Sequence, residues 1–492
     1  MNSKVRLEHV EKALAARDPQ FVSLLIEVAK ANPDPNLPPL PEGTYTFNNF
    51  RSEITSPKFF SQPREVQQSF RTEKLAILDS LDSKQFDQPH LDRYRSHELI
   101  YKLWQSDGSF ERNCLIQIIR KIPLVYGPWK ALKRIFKEAE AVHDTEILAA
   151  LSHRFDTGQT NSSTEVSKRT LKYLSRRSWR FLRTLAKDTP GCYPDAAADF
   201  LAEYKLHQQW AYRTSWVWNH IFFHGESKFG RTSFRGYFHN SDPLKHRAFG
   251  DLWKRSPLPL FSLLERSRSE LVRDYAIKAL KKDFRNVLRD VESDWVIRLL
   301  ASEHQSVQTF AVWVLENVPK FEQSKFREIG LHEPVLNLLN SGFNEPLIYA
   351  AAYARTHARD LPVRELIRLA NHTKSKLYHD DKGSAAVRKL AIDLLRTLDP
   401  RKDVGLQNWG LLLETTEGST FAQKMLREHF GAKDLTPEWF AERLLSNSKI
   451  VQTFAIERVL DVHPAKQLGE QYFFELLLKT EHRTHNLSLI HI

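Results

Sequence analysis

Residues Leu300 to Leu315 read L-A-S-E-H-Q-S-V-Q-T-F-A-V-W-V-L, and the inner pentapeptide Val307-Gln308-Thr309-Phe310-Ala311 recurs letter for letter as Val451-Gln452-Thr453-Phe454-Ala455. In both places leucine stands six or seven residues upstream. The pattern is an apolar helix end, a polar turn of about five residues, and a second helix carrying an apolar residue, an alanine four later and a leucine four after that. Leu264 to Leu280 repeats it with Val272, Ala276 and Leu280, Ser384 to Leu398 with Val387, Ala391 and Leu395, and Asn344 to Ala354 in a looser form. A small residue at a fixed seam position lets one helix pair stack closely on the next. The spacing therefore predicts an all-α fold of the α-solenoid type, a superhelix of antiparallel helix pairs, over essentially the whole length, with the repeats themselves at 252–480.

This grammar resembles HEAT and armadillo repeats, and the steps from Val272 to Val307, Leu347 and Val387 fall in the range of about 35 to 40 residues usual for such units. More loosely, the run from Tyr126 through the helix around Trp179 into the repeats is similar to segments of large bacterial helical-repeat proteins. The resemblance implies a binding surface or scaffold and carries no catalytic residue with it.

Outward from the repeats, the composition agrees with a helical chain. Of 492 residues, 41% are hydrophobic, 27% are charged and only 17 are glycine, and hairpin signals between alternating strands are almost missing. Cys114 and Cys192 are the two cysteines, which argues against a disulfide framework and for a reducing compartment. No run of 18 apolar residues occurs. These features predict a cytoplasmic protein without a membrane partner. The formal charge of +12 favours an acidic partner, nucleic acid or protein, although excess charge also serves solubility.

From the start, residues 4–17 and a helix opening at Pro19 and running to Ala31 read as a helical hairpin. Residues 32–63 hold seven prolines and predict an extended strap laid across the helices, pinned by Tyr45, Phe47, Phe50, Phe59 and Phe60. Residues 64–156 predict helices at 64–81, 90–105, 108–121, 127–142 and 143–154. The polar tract 157–164 then marks a loop at the head of a basic and aromatic region, 157–251.

The helix expected at 165–187 is the leading functional candidate. Arg169, Lys172, Arg176, Arg180, Arg183 and Lys187 recur at three- and four-residue steps and so share one face. Such a row repels itself by a few tenths of a kcal/mol per neighbouring pair. It needs either acidic partners from neighbouring helices or a phosphate backbone. Residues 204–238 follow with Trp210, Tyr212, Trp216, Trp218, Phe222 and Phe223, read as core. Lys228, Arg231 and Arg235 among Gly225, Gly230 and Gly236 read as a basic exposed loop suited to single-stranded nucleic acid.

Metal and nucleophile chemistry is thinly represented. His220 and His224 stand at the i, i+4 spacing of a chelate without a third ligand in pattern. His143-Asp144 and His379-Asp380-Asp381 resemble the His-Asp pairs of metal-dependent hydrolases without their flanking residues. Phosphate-binding glycine loops, nucleophile elbows and C-x-x-C pairs are missing. The reading that results is a non-enzymatic scaffold or adaptor for protein partners, without cofactor or catalytic residue. Nucleic-acid binding through 165–187 and 204–238 is the alternative, and a metal-dependent hydrolase is the third. The apolar residues of the tail 481–492 suggest that this end meets another surface.

Overall fold

A computed structural model of the chain describes residues 5–31, 41–80, 84–158, 164–205, 215–227, 242–373, 381–464, 466 and 468, with the side chains of 84–87 excepted. Among these residues the regular structure is helical throughout and contains no strand. The chain divides into two compact units, 1–285 and 286–492.

The second unit is built from successive helix pairs. Ser293–Leu300 packs on Gln305–Asn317, His332–Asn337 on Asn344–His357, Val363–Ala370 on Lys382–Leu395, Gly405–Leu413 on Ser419–His429, and Pro437–Leu444 on Lys449–Val462. The second helix Asn344–His357 also packs on the second helices Gln305–Asn317 and Lys382–Leu395 of the pairs before and after it. The buried stripe repeats as an aromatic residue followed by alanine: Phe310-Ala311, Tyr349-Ala350, Phe421-Ala422 and Phe454-Ala455, with Leu390-Ala391 as the aliphatic version. Each of these alanines is fully buried. Closest approach is visible at Gly383, where a Cβ would lie 2.8 Å from Asn344 Cα and 3.0 Å from Leu347 Cδ1. Only glycine admits that contact between the two helices.

The turns inside the pairs are closed by side chains. Ser302, Ser341 and Ser446 each accept, through Oγ, a hydrogen bond from the backbone N–H two residues on, at 3.3, 3.2 and 3.1 Å. Such a local bond competes with helix and fixes the break. Gln308 then reaches back and donates to Ser302 O at 2.7 Å and Leu300 O at 3.1 Å, while its Oε1 accepts from Ser341 Oγ at 2.7 Å. Gln452 donates to Ser446 O at 2.7 Å. The repeated pentapeptide thus places the same residue in the same job. The pair Leu258–Arg266 and Glu270–Asp283, in the first unit, uses the same device: Ser267 accepts from Ser269 N at 3.2 Å and Arg273 donates to Ser267 O at 2.9 Å.

In the first unit, helices Leu7–Ala15 and Phe21–Lys30 pack on Lys84–Ser106, as a hairpin requires. The second of them opens at Phe21 and not at Pro19, because Asp18 Oδ1 accepts from Gln20 N at 2.8 Å and holds a turn there. The described part of the expected strap, 41–63, is not extended. It forms the short helices Phe47–Ile54 and Pro57–Phe60, whose starts are capped by Thr46 and Ser56. The prolines crowd ahead of residue 42, Pro57 sits at a helix start where its missing N–H costs nothing, and Pro63 precedes the helix Arg64–Ser80. Phe47, Phe50, Ile54 and Phe59 form a core cluster with Leu78, Leu91 and Tyr94, so the aromatics pin this segment as expected, apart from Phe60, which is exposed. The helix expected from 90 starts at Lys84 and carries Pro89 inside it. Residues 32–40, with Pro38-Pro39-Leu40 among them, the core candidates Trp210 and Tyr212, and the tail 481–492 lie outside the described residues.

Gln308→Ala should lower stability by about 1–3 kcal/mol, since it strips two carbonyls and a serine hydroxyl of one partner. Gln452→Ala, which frees one carbonyl, should cost less. Thermal unfolding followed by far-ultraviolet circular dichroism compares the two, and equal losses would contradict the difference in bonding.

Candidate nucleic-acid interface

The basic row occupies helix Lys168–Asp188, about 30 Å long at the usual rise. Ser167 caps its start by accepting from Thr170 N at 3.2 Å. Leu171, Leu174, Trp179, Leu182 and Leu185 are buried against the unit, leaving the opposite stripe outward. Ser178 Oγ and Ser152 Oγ lie 2.7 Å apart in that seam, which fixes the helix to Thr145–Thr157.

Arg169, Lys172, Arg176, Arg180, Arg183 and Lys187 are all exposed. Among the described residues none of the six has a carboxylate within ion-pair distance. Their neighbour Arg177, turned to a different face, is bound to Glu140 at 2.6 Å. Arg176 lies over the ring of Trp216 at 5.3 Å and Arg180 over that of Tyr173 at 5.8 Å. Tyr173 is itself 52% exposed, so the row carries an aromatic side chain into solvent.

Helix Trp216–Phe223 packs beside the basic helix. Its start is held by Asp156, fully buried, which accepts from Trp216 N at 2.7 Å, Val217 N at 2.9 Å and Tyr204 Oη at 2.8 Å. Nothing in the spacing of Asp156 distinguishes it from the carboxylates around it, and the sequence offers no signal for this role. Trp218, Phe222 and Phe223 are buried, as expected for core, whereas Trp216 is half-buried and edges the row.

His220 stacks on Trp179 with ring centroids 4.8 Å apart, and His220 Nδ1 lies 3.1 Å from His224 Nδ1. Burial, the neighbouring His224 and Arg183 together hold the His220 imidazole down to about 3, and burial with Arg183 lowers His224. Among the described residues no group of three histidine, cysteine, aspartate or glutamate side chains is assembled to hold a metal. His143 and Asp144 serve structure. His143 adopts φ +59° and ends helix Pro128–Val142, while Asp144 caps the next helix and binds Arg112 at 2.8 Å. Asp381 binds Arg388 at 2.6 Å, whereas His379 and Asp380 lie outside the described residues.

Lys228, Arg231 and Arg235 also lie outside the described residues. The segments 206–214 and 228–241 contain no aspartate or glutamate, so the sequence supplies no acidic partner for the row from either. Among the described residues no helix is long and apolar enough to cross a membrane.

The His220 shift carries a pH consequence. An imidazole whose folded value lies below its unfolded value of about 6.5 contributes stability that is complete above pH 6.5. That contribution is lost as pH falls from about 6.5 towards about 3. His220→Phe should therefore flatten the acid limb of a melting-temperature profile between pH 7 and pH 4, and an unchanged limb would exclude His220 as its source.

Comparison of the chain with protein-family models, with curated proteins and with solved structures finds no match.

Proposed function

We propose that the chain is an α-solenoid of HEAT-like repeats that binds the phosphate backbone of nucleic acid through helix Lys168–Asp188. The observation that carries this reading is the row of six exposed cations without a described carboxylate partner, on a helix where adjacent Arg177 does have one. A row that repels itself at each step is relieved by an anionic polymer running along it. Arginine supports this better than lysine alone because its planar fork matches phosphate oxygens two at a time. Tyr173 and Trp216 beside the row offer base-stacking faces of the kind single strands use. The basic segment with Lys228, Arg231 and Arg235 extends the same charge along the chain.

A second reading, a scaffold for protein partners, is favoured by a cleft of about 470 Å³ in the repeats of the second unit. Asn340, Arg368, Asn371, His372, Thr373 and the exposed Leu411 line it. Mixed apolar and amide linings of this kind suit a peptide segment. Co-purification of a protein partner that survives nuclease treatment would support it.

A fluorescence-polarisation titration with duplex and single-stranded oligonucleotides at two salt concentrations tests the first reading. Affinity should fall with salt at a log-log slope of about 0.9 per contacted duplex phosphate, or about 0.7 on single strands. Arg176→Glu with Arg180→Glu should weaken binding to every sequence alike and reduce that slope by about 2, with the circular dichroism spectrum unchanged. Lack of binding at low salt would remove nucleic acid from consideration and leave the scaffold.

A further inference from the structure

The stripe on helix Lys168–Asp188 is straight as well as exposed. At about 3.6 residues per turn, Arg169, Lys172, Arg176, Arg180, Arg183 and Lys187 fall within a sector of about 80°, and from first to last they span about 27 Å. A duplex completes a turn in about 34 Å, so each of its strands winds through about three-quarters of a turn over that length and leaves a straight line of charge. A single strand is under no such constraint and can follow the row from end to end. Charge alone points the other way, because a duplex carries more phosphate per unit length and releases more counter-ions. What stands beside the cations therefore decides between the two.

Those neighbours are aromatic. Tyr173 lies about 20° beyond Arg180 around the helix. It stays half exposed even with the Arg180 guanidinium over its ring at 5.8 Å, so part of the ring is open to water. The other aromatic side chains of this helix, Trp179 and Phe181, are buried. Trp216 meets the row at Arg176, which lies over its indole at 5.3 Å. Behind it a column of rings runs into the unit, from Trp216 to His220 at 4.7 Å and from His220 to Trp179 at 4.8 Å with planes 11° apart. The buried Trp179 anchors this column in the core, and Asp156 fixes its outer member by accepting from Trp216 N at 2.7 Å. The column ends at the row with Trp216 half-buried.

Two rings, each beside a row arginine, give the track a recurring combination of base platform and phosphate donor. Resting on the reading above that the row takes a phosphate backbone, we propose that its ligand is a single strand of DNA or RNA, selected over duplex by stacking of unpaired bases on Tyr173 and Trp216. In a duplex the base faces are covered by their neighbours and cannot reach either ring. In a single strand they are free, and each stacked base adds affinity whatever its identity, since every base has a π-face. Arg176 and Arg180 serve both parts, because a guanidinium over a ring keeps its in-plane N–H groups for phosphate oxygens. The row thus discriminates strandedness and not sequence.

Polarisation titrations of the full-length protein with an oligothymidylate of about 12 nucleotides, an abasic strand of the same length and a duplex of that length test the assignment. The oligothymidylate should bind about tenfold or more tighter than the duplex, and than the abasic strand, which keeps the phosphates and lacks the bases. Tyr173→Ala should weaken oligothymidylate binding about five- to hundredfold while leaving the abasic strand and the circular dichroism spectrum unchanged. Tyr173→Phe, which keeps the ring, should bind as the native chain does. Strand binding should also quench tryptophan fluorescence, and Trp216→Phe should reduce that quenching. Lack of binding of all three ligands at low salt overturns the phosphate reading and this inference with it. Duplex binding as tight as the oligothymidylate, full-strength oligothymidylate binding by Tyr173→Ala, or quenching that Trp216→Phe leaves unchanged overturns single-strand selection alone and leaves the phosphate reading standing. An oligouridylate arm assigns the strand as RNA or DNA.

Discussion

A helix pair buries its apolar stripe on its neighbour only as far as the bulkiest residue in the seam allows. In this chain the limit is set by alanine, followed each time by the rest of a helix that the turn has already aimed. Phe310-Ala311, Tyr349-Ala350 and Phe454-Ala455 show the division of labour: the ring supplies contact area and the methyl supplies proximity. Close approach is useful only if the helix arrives at a fixed angle. At two of the turns a closing serine and a long donor that reaches back to its carbonyl supply that angle, Ser302 with Gln308 and Ser446 with Gln452. Through Ser341 the Gln308 side chain also ties one turn to the next, so the spacing between pairs is held by a buried hydrogen bond as well as by packing.

The first unit treats its cations in two ways. Arg112 is held by Asp107, Asp144 and Glu146, Arg120 by Glu203, and Arg247 by Asp283, each an arginine fixed between helices or turns. Helix Lys168–Asp188 contains both kinds within one residue of each other. Arg177 is paired to Glu140, and Arg176 lies over an indole. A neighbouring helix was therefore able to supply a carboxylate to this surface, and the angle of the outward row places it away from that helix. Solubility alone would be served by cations at any exposed angle. Confinement of six to one line is the feature that the proposed linear anionic partner would use.

Helix type was legible because apolar spacing decides it locally, and the repeat was legible because the same turn chemistry recurs with the same letters. The row was legible for the same reason: three- and four-residue steps fix a face whatever the fold. What escaped was whatever depends on residues far apart in the chain. Asp156 meets the start of a helix sixty residues on, and no local pattern announces it. Proline misled for residues 47–60, since a count of prolines says less than their positions: most lie ahead of the helices, and the one that lies inside them occupies a first turn.

How the exposed row would answer salt follows from its solvent exposure. At physiological ionic strength the screening length is about 8 Å, so side chains projecting into water lose most of their long-range attraction to a polyanion as salt rises. A ligand of the row should therefore be released by salt alone, and that surface would behave as a reversible electrostatic rail. It can do so because a helix that spends one face on packing is free to present the opposite face to solvent.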